Sequence, residues 1–383
     1  MVAERLQAAT ANLTPPYAIV DLDALDSNAQ AMITRARGLP IRLATKSIRC
    51  RAIINRVLDQ SGYKGVLAYS LAEAIWLARS GIQDILLAYP TVDHDALGTL
   101  AQDDQLRESI MVMVDSVEQC DLIANAAGTQ PIKVCVDVDA SFRIGPLHLG
   151  VRRSPVHSPG QAYALAAEIT KRPMLSLTGL MFYDAQIAGV PDSSPAVRMI
   201  KRLSARELLA RRREVIFAVR NLADLLLING GGTGSLHIVS RDHQLTELAA
   251  GSGLYGPTLF DHYRNFTPVP AAYFVSPVVR KPSPRHAVVY SGGYIASGPP
   301  GWSREPLPWV PRQLRLLRTE GAGEVQTPLR GPAAAALRVG DQVWFRHAKA
   351  GELCERFDRL HLVQGDQIID EVPTYRGEGR NYG

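Results

Sequence analysis

The sequence predicts an α/β chain: a (β/α)8 TIM barrel followed by a second, mostly β domain. Between Ile41 and Gly251, eight short apolar runs alternate with helix-patterned stretches. The runs are near-continuously apolar, as parallel strands buried on both faces require. Eight βα units in roughly 200–250 residues is the arithmetic of a closed barrel. After Phe266 the texture changes, with dense proline and glycine, no helical period and short β-type runs. Strand count alone does not show closure, so a doubly wound open sheet is the structural rival.

Taken in order, Pro16–Leu22 reads as a strand bounded by Thr14-Pro15-Pro16, and 23–36 as a helix with Leu25, Ala29, Met32 and Ile33 on one face. The barrel runs are 41–46, 65–69, 84–88, 110–114, 132–137, 175–182, 224–229 and, less distinctly, 247–251. In the second domain the runs are 273–275, 287–290, 314–317, 342–345 and 360–363. The expected boundaries are 24–268 for the barrel and 1–23 plus 269–383 for the β-rich domain, the strand before the barrel count joining the latter. The last dozen residues are polar and glycine-rich and read as a mobile tail. No repeat of solenoid period is present.

At 383 residues the chain has room for one large barrel plus a further domain. Apolar residues make up 46% and charged residues 21%, ordinary for a globular chain. Arginine supplies nearly all of the +5 formal charge; the lysines are at 46, 64, 133, 171, 201, 281 and 349. Arg211-Arg212-Arg213 sit in a leucine-rich helical pattern and read as a solvated helix face, not a nucleic-acid patch. No apolar run reaches membrane-spanning length, and Met1-Val2-Ala3-Glu4-Arg5 begins no signal-peptide apolar region. Cys50, Cys120, Cys135 and Cys354 form no CxxC pair, which points to a reducing compartment. The expectation is a cytoplasmic protein with neither nucleic acid nor membrane as partner.

Candidate chemistry begins at Lys46, in Ile41-Arg42-Leu43-Ala44-Thr45-Lys46-Ser47. A lysine at the mouth end of a barrel strand is placed to attack a carbonyl; taken alone it reads as a solvated strand-end residue. The second stretch, Asn229-Gly230-Gly231-Gly232-Thr233-Gly234-Ser235, follows the seventh run. Its glycines let the backbone approach an anion and turn several N–H groups towards it. Loops after strands seven and eight form the commonest phosphate site of barrel enzymes, and Gly251-Ser252-Gly253-Leu254-Tyr255-Gly256 follows the eighth run. First and last strands are neighbours in a closed barrel. A ligand carrying an aldehyde and a phosphate on one aromatic ring would span them, and pyridoxal 5'-phosphate is such a ligand. A lysine Schiff base would hold it, and its ring would withdraw electrons from bonds at a substrate α-carbon. A barrel isomerase of a phosphorylated metabolite would use the loops but leave Lys46 without that role.

Over nearly its whole length, from Thr14-Pro15 to Val363, the chain resembles the fold-type III pyridoxal phosphate enzymes, of the alanine racemase N-terminal type. It is similar in particular to the D-threonine aldolase and D-serine dehydratase branch. The resemblance rests on Val20-Asp21-Leu22-Asp23-Ala24-Leu25 with Asn28, on Ala44-Thr45-Lys46-Ser47, on Gly231–Ser235, and on Glu247, Gly251-Ser252 and Asp261. It implies that Lys46 binds the cofactor, that Arg143 of Phe142-Arg143-Ile144-Gly145 holds its phenolic oxygen with Arg152 in reserve, and that Tyr183 lies by its ring. Gln186 stands where the family has a histidine, which removes a titratable group. Asn229, Gly231, Gly232, Thr233, Gly234, Ser235, Gly251, Ser252, Gly253 and Tyr255 complete the implied cofactor set.

In the β-rich domain, Trp344-Phe345-Arg346-His347-Ala348-Lys349 resembles the branch's metal-binding stretch at His347 but carries Lys349 at the second ligand position. Two outcomes stay open. Cys354 replaces the missing ligand, for zinc or manganese, or Lys349 itself provides the charge. The activity implied is that of a lyase on a β-hydroxy-α-amino acid of D configuration, by retro-aldol cleavage or by dehydration and deamination. Lys46, His347 and Lys349 are then the catalytic candidates. The rivals are an amino acid racemase, with Tyr294 as a second acid–base group, and a non-catalytic pyridoxal phosphate carrier. A homodimer is also implied.

Overall fold

The computed structural model describes residues 2–128 and 130–383. The chain divides into two compact units, one comprising residues through Ala31, Ser47–Val57 and Ser252–Asn381, the other Met32–Lys46, Leu58–Gly251 and Tyr382–Gly383.

Strand β1 (Tyr17–Asp21) precedes β2 (Ile41–Ala44), β3 (Tyr63–Ala68), β4 (Ile85–Leu87), β5 (Ile110–Val114) and β6 (Ile132–Asp137). A hairpin of β7 (Phe142–Ile144) and β8 (Leu147–Leu149) follows, then β9 (Leu175–Phe182), β10 (Leu227–Gly230) and β11 (Glu247–Ala250). Among the described residues, β2–β6 and β9–β11 close an eight-stranded parallel barrel in chain order. Each expected run falls on one of these strands. The closing pair sets Leu248 opposite Ile41, Ala249 opposite Arg42 and Ala250 opposite Leu43, which disposes of the open sheet.

Physical reasons for the alternation are visible in the side chains. Strands β4, β10 and β11 are buried at every position, so they are apolar except at Asn229 and Glu247, which hydrogen-bond each other. The helices between strands begin at Ser70, Asp93, Ser116 and Ser158, whose side chains each accept from the N–H three residues on. Such caps contribute about 1 kcal/mol each. Leu67, Leu86, Met113, Cys135, Met181 and Leu227 fill the barrel interior, and Tyr89 and Tyr183 pack against this plug.

At the other end of the strands lies a buried ion cluster. Arg42 on β2 donates through Nε and Nη2 to the Glu247 carboxylate (2.6 and 2.8 Å) and through Nη2 to Asp84 Oδ1 (2.8 Å). Burial works against the guanidinium, but the two carboxylates hold it firmly protonated.

The first-mentioned unit contains a mixed sheet. It comprises β1, β12 (Ala272–Ser283), β13 (His286–Tyr290), β14 (Leu307–Val310), β15 (Arg315–Leu316), β16 (Gln326–Arg330), β17 (Gln342–Arg346), β18 (Arg359–Gln364) and β19 (Gln367–Pro373). Strand β1 lies inside the sheet, antiparallel to β12 and parallel to β18. Its core is aromatic: Tyr17, Tyr273 and Trp344 are buried, with Trp309 stacked on Tyr273 at 4.3 Å. Strands β14, β16 and β19 escape the sequence pattern, because proline and charged residues interrupt their alternation.

Two sequence expectations need correction. Of the triple arginine, only Arg213 is exposed. Arg211 is buried and caps the carbonyls of Asp139, Ser141 and His157, and Arg212 is buried against Asp242 at 2.6 Å. The expected tail is anchored at its start: Tyr375 is fully buried, its N–H donates to Arg49 O, and Glu378 pairs with Arg51. Among the described residues no helix is long and apolar enough to cross a membrane.

Glu247→Ala strands a buried guanidinium and is expected to lower the unfolding free energy by about 3–5 kcal/mol in urea titration. The double variant Arg42→Met/Glu247→Leu, which removes both charges, should lose far less. Equal losses would show that the pair does not carry this end of the barrel.

Candidate active site

Lys46 lies on the short 3-10 turn Thr45–Ser47 that ends β2. The turn is pinned by Thr45 Oγ1, which donates to Leu67 O on the neighbouring strand (3.1 Å). The Lys46 side chain is exposed at the barrel mouth, and its Nζ donates to the Tyr89 hydroxyl at 2.7 Å. Tyr89 stands two residues beyond β4. The Arg153 guanidinium lies 5.8 Å from the ring centres of both Tyr89 and Tyr183.

These neighbours set the electrostatics. Burial works to raise the Tyr89 phenol, but the charges and hydrogen bonds of Lys46 and Arg153 outweigh it and bring the phenol below its ordinary value. Tyr183, just beyond β9, is pushed up to about 12 by burial and by Asp184, with Arg153 opposing. Burial and Asp115 raise Asp137, at the end of β6, to about 7.

The glycine-rich loop after β10 is shaped by close approach. Gly231 has φ +87°, and a Cβ there would come within 2.8 Å of Val239; one on Gly232 would meet Ala188 Cβ at 2.8 Å. Ser235 Oγ accepts from Gly232 N–H and donates to Asp184 Oδ1, both at 3.1 Å. Asp184 is buried, lacks a partner at Oδ2 and is raised by burial to about 7, Arg212 opposing. Arg35 Nη2 reaches Thr233 O at 2.6 Å, placing a cation at the loop. Beyond β11, a Cβ on Gly251 would lie 2.6 Å from Ala44 O, so only glycine lets the eighth strand's loop press against the strand that carries Lys46.

Lys46, Tyr183, Gly231, Gly232, Thr233, Gly234, Ser235 and Gly251 all lie in the barrel unit, and a Cβ on Gly232 would come within 3.5 Å of the Tyr183 ring. Other sequence candidates are engaged elsewhere. Arg143, on the β7–β8 hairpin, is turned to Asp139 and Ser141. Gln186 spends its amide N–H groups on Ala140 O and Ser204, and Asn229 donates to Glu247 at 2.6 Å. Ser252, Gly253 and Tyr255 belong to the other unit, where the buried Tyr255 hydroxyl donates to Ile48 O (3.0 Å). Sequence reasoning does not single out Tyr89, Arg153, Arg35 or Asp184. The available signals were the strand-end positions of Tyr89 and Asp184; nothing in the pattern separates Arg153 from Arg152.

An amine able to form a Schiff base, a guanidinium between two aromatic rings and a glycine loop with two hydroxyl residues fit pyridoxal phosphate. Lys46 would hold its aldehyde carbon, the loop its phosphate and Arg153 the negative charge of its ring oxygen.

In the sheet-containing unit, His347 follows β17 and is buried with neither ring nitrogen hydrogen-bonded in normal geometry. Burial pulls its imidazole down to about 3, the Arg346 charge adding to this and the Ala272 backbone opposing. Tyr255 meets it edge-on at 6.2 Å. Cys354 Sγ lies 3.8 Å from the Tyr255 hydroxyl, and burial raises its thiol well above the ordinary range. Lys349 Nζ donates to Ser297 Oγ at 2.8 Å. Tyr294 packs among Phe274 and Phe357 and under Arg356. A neutral imidazole suits a metal, while Lys349 stands where the branch has its second ligand. Among the described residues, no three His, Cys, Asp or Glu side chains gather as a metal cage, so the donors around His347 fall short of one.

The chain is similar to a 3-hydroxy-D-aspartate aldolase of Paracoccus denitrificans (strain Pd 1222), 25% identical over 244 residues, 62% of this chain and 59% of that protein. The match thus spans about three-fifths of that curated relative's length. Its fold is similar to that of D-threonine aldolase from Filomicrobium marinum, with TM-score 0.81, 24% identity and 96% of each chain covered. It is similar also to D-threo-3-hydroxyaspartate dehydratase from Delftia sp. HT23, with TM-score 0.72, 19% identity, and 95% of this chain and 98% of that one covered. Residues 20–258 match the family described as alanine racemase, N-terminal domain. With that match spanning more than half of the chain, on a closed barrel whose first strand ends at Lys46, the protein belongs to the alanine racemase N-terminal domain family of fold-type III pyridoxal phosphate proteins.

Proposed function

We propose that the protein is a pyridoxal phosphate-dependent lyase acting on a β-hydroxy-α-amino acid of D configuration. The observation that supports it is the barrel seam, where a Cβ on Gly251 would lie 2.6 Å from Ala44 O, two residues before Lys46. The relatives named as aldolases and a dehydratase support the substrate class.

When bound, the cofactor supplies electron withdrawal from the bonds at the substrate α-carbon. The chain's residues do the rest. Lys46 would hold the cofactor and, once freed, would be a base near the substrate α-carbon. Arg153, in place of the Arg143 and Arg152 expected from sequence, would meet the ring oxygen. Tyr183 would flank the ring, and Gly231–Ser235 would bind the phosphate, with Gly251 opening the second loop. In the retro-aldol direction a base would take the β-hydroxyl proton, the Cα–Cβ bond would break, and the α-carbon would regain a proton, so that glycine and an aldehyde leave. In the dehydration Lys46 would take the α-proton, the β-hydroxyl would leave with a proton as water, and addition of water to the resulting imine would release a 2-oxo acid and ammonia. Either reaction needs a group at the β-oxygen. The resemblance gives that task to the His347 region; Lys349, where the branch has its second metal ligand, is proposed to supply the charge in place of a metal. The protein is proposed to work as a cytoplasmic homodimer.

Purified protein should show a visible absorbance band that borohydride removes. Lys46→Ala should lack it and lose at least about 10³-fold in turnover. Assays of aldehyde, oxo acid and inverted product with D- and L-threonine, serine and 3-hydroxyaspartate then separate aldolase, dehydratase and racemase. No band after reconstitution would sink the reading.

Exhaustive chelation should leave turnover unchanged, while Lys349→Ala should lower it about 10²-fold or more. Loss of activity on chelation, restored by zinc or manganese, would overturn the assignment to Lys349.

A further inference from the structure

We infer that Tyr89 is the acid–base partner of Lys46, taking up and returning the proton of the lysine amine whenever that amine is not covalently engaged. The inference rests on the reading above and deepens it.

Lys46 Nζ approaches the phenol oxygen at 2.7 Å while lying 5.4 Å from the ring centre, so it meets the hydroxyl and not the ring face. Among the described residues, Lys46 and Arg153 face that phenol, with Tyr183 on the other side of Arg153 and Asp137 near the same guanidinium. Tyr89 and Tyr183 offer an internal comparison. Both pack on the same apolar plug and both lie by Arg153, yet they shift in opposite directions. Tyr183 has the carboxylate of Asp184 as neighbour, and Tyr89 has the amine of Lys46.

The chemistry needs such a partner. An ammonium neither attacks a carbonyl nor removes an α-proton, so Lys46 must give up a proton each time it acts. Along the Nζ···Oη hydrogen bond, transfer breaks one N–H bond and forms one O–H bond, leaving neutral amine and neutral phenol. The reverse transfer gives ammonium and phenolate. Neither direction requires a further reactant. Arg153 stays protonated throughout, so it does not compete for the proton and favours the phenolate. The pair thereby stores the proton that Lys46 must lose before reaction and regain when it is freed again.

The test has two arms. In cofactor-free protein, ultraviolet titration of the thirteen tyrosines should show one phenol ionising before the rest, below about pH 10. Tyr89→Phe should lack that early step, and Lys46→Met should move it upward. An unchanged titration in Tyr89→Phe overturns the inference. In cofactor-loaded protein, Tyr89→Phe should keep the visible band while α-proton exchange in D2O falls about 10²–10⁴-fold with a displaced pH profile. Exchange with wild-type rate and pH profile overturns it as well. An early phenol that disappears in Tyr89→Phe, in a protein that forms no visible band, supports the pair and overturns the lyase reading instead.

Discussion

The seam between the last barrel strand and the first is the constraint on which the rest of the barrel unit depends. Three backbone pairs join β11 to β2, and two kinds of side chain guard the two ends. At the start of the strands, Arg42 bridges Glu247 of β11 and Asp84 beside β4. At their far end, the absence of a side chain on Gly251 lets the next loop reach Ala44. The ion cluster lies at the face of a barrel that serves stability, and the glycine at the face that serves chemistry. A single pairing register thus fixes both, because a slip by one residue would turn Arg42 out of the barrel and displace Lys46 from the glycine loops.

Above the apolar plug, burial and charge compete, and the outcome differs residue by residue. Asp137 and Asp184 lie deep enough that burial prevails over Arg153 and Arg212, and both carboxyls rise to about 7. At Tyr89 the balance reverses, since two cations face one hydroxyl. Groups whose environments push them apart within one mouth are what acid–base work near neutral pH requires. The glycine loop shows the same economy. Its backbone is bent against Ala188 and Val239, and its serine is anchored to Asp184, so the loop's shape is set by its own contacts.

Much of this was legible in the amino-acid order, because burial on both faces leaves a plain mark. All eight barrel strands lie on the runs that near-continuous apolarity picks out, and Lys46 and the glycine loops lie at strand ends where function in barrels gathers. What escaped depends on tertiary partners. Arg211 and Arg212 look like a solvated helix face until their carbonyl and carboxylate partners are known. Arg143 matches a motif, yet Asp139, four residues back, takes its guanidinium; Arg153, unmarked by any motif, stands between the two tyrosines. Tyr255 follows a glycine turn like a ligand-binding residue, but its hydroxyl is used up on Ile48.

The distribution of cations carries the argument one step further. Among the ion pairs described, those buried on both sides are made by arginine: Arg42 with Glu247, and Arg212 with Asp242. A guanidinium keeps its charge in such places and can fork across two acceptors. The chain has only seven lysines, and two of them stand at Lys46 and Lys349, each donating to a hydroxyl. A hydroxyl partner holds an amine in position without locking a proton onto it, as a buried carboxylate would. In a chain that otherwise prefers arginine, lysine therefore stands at these two positions where a compact ammonium meets a single hydroxyl, at Tyr89 and at Ser297.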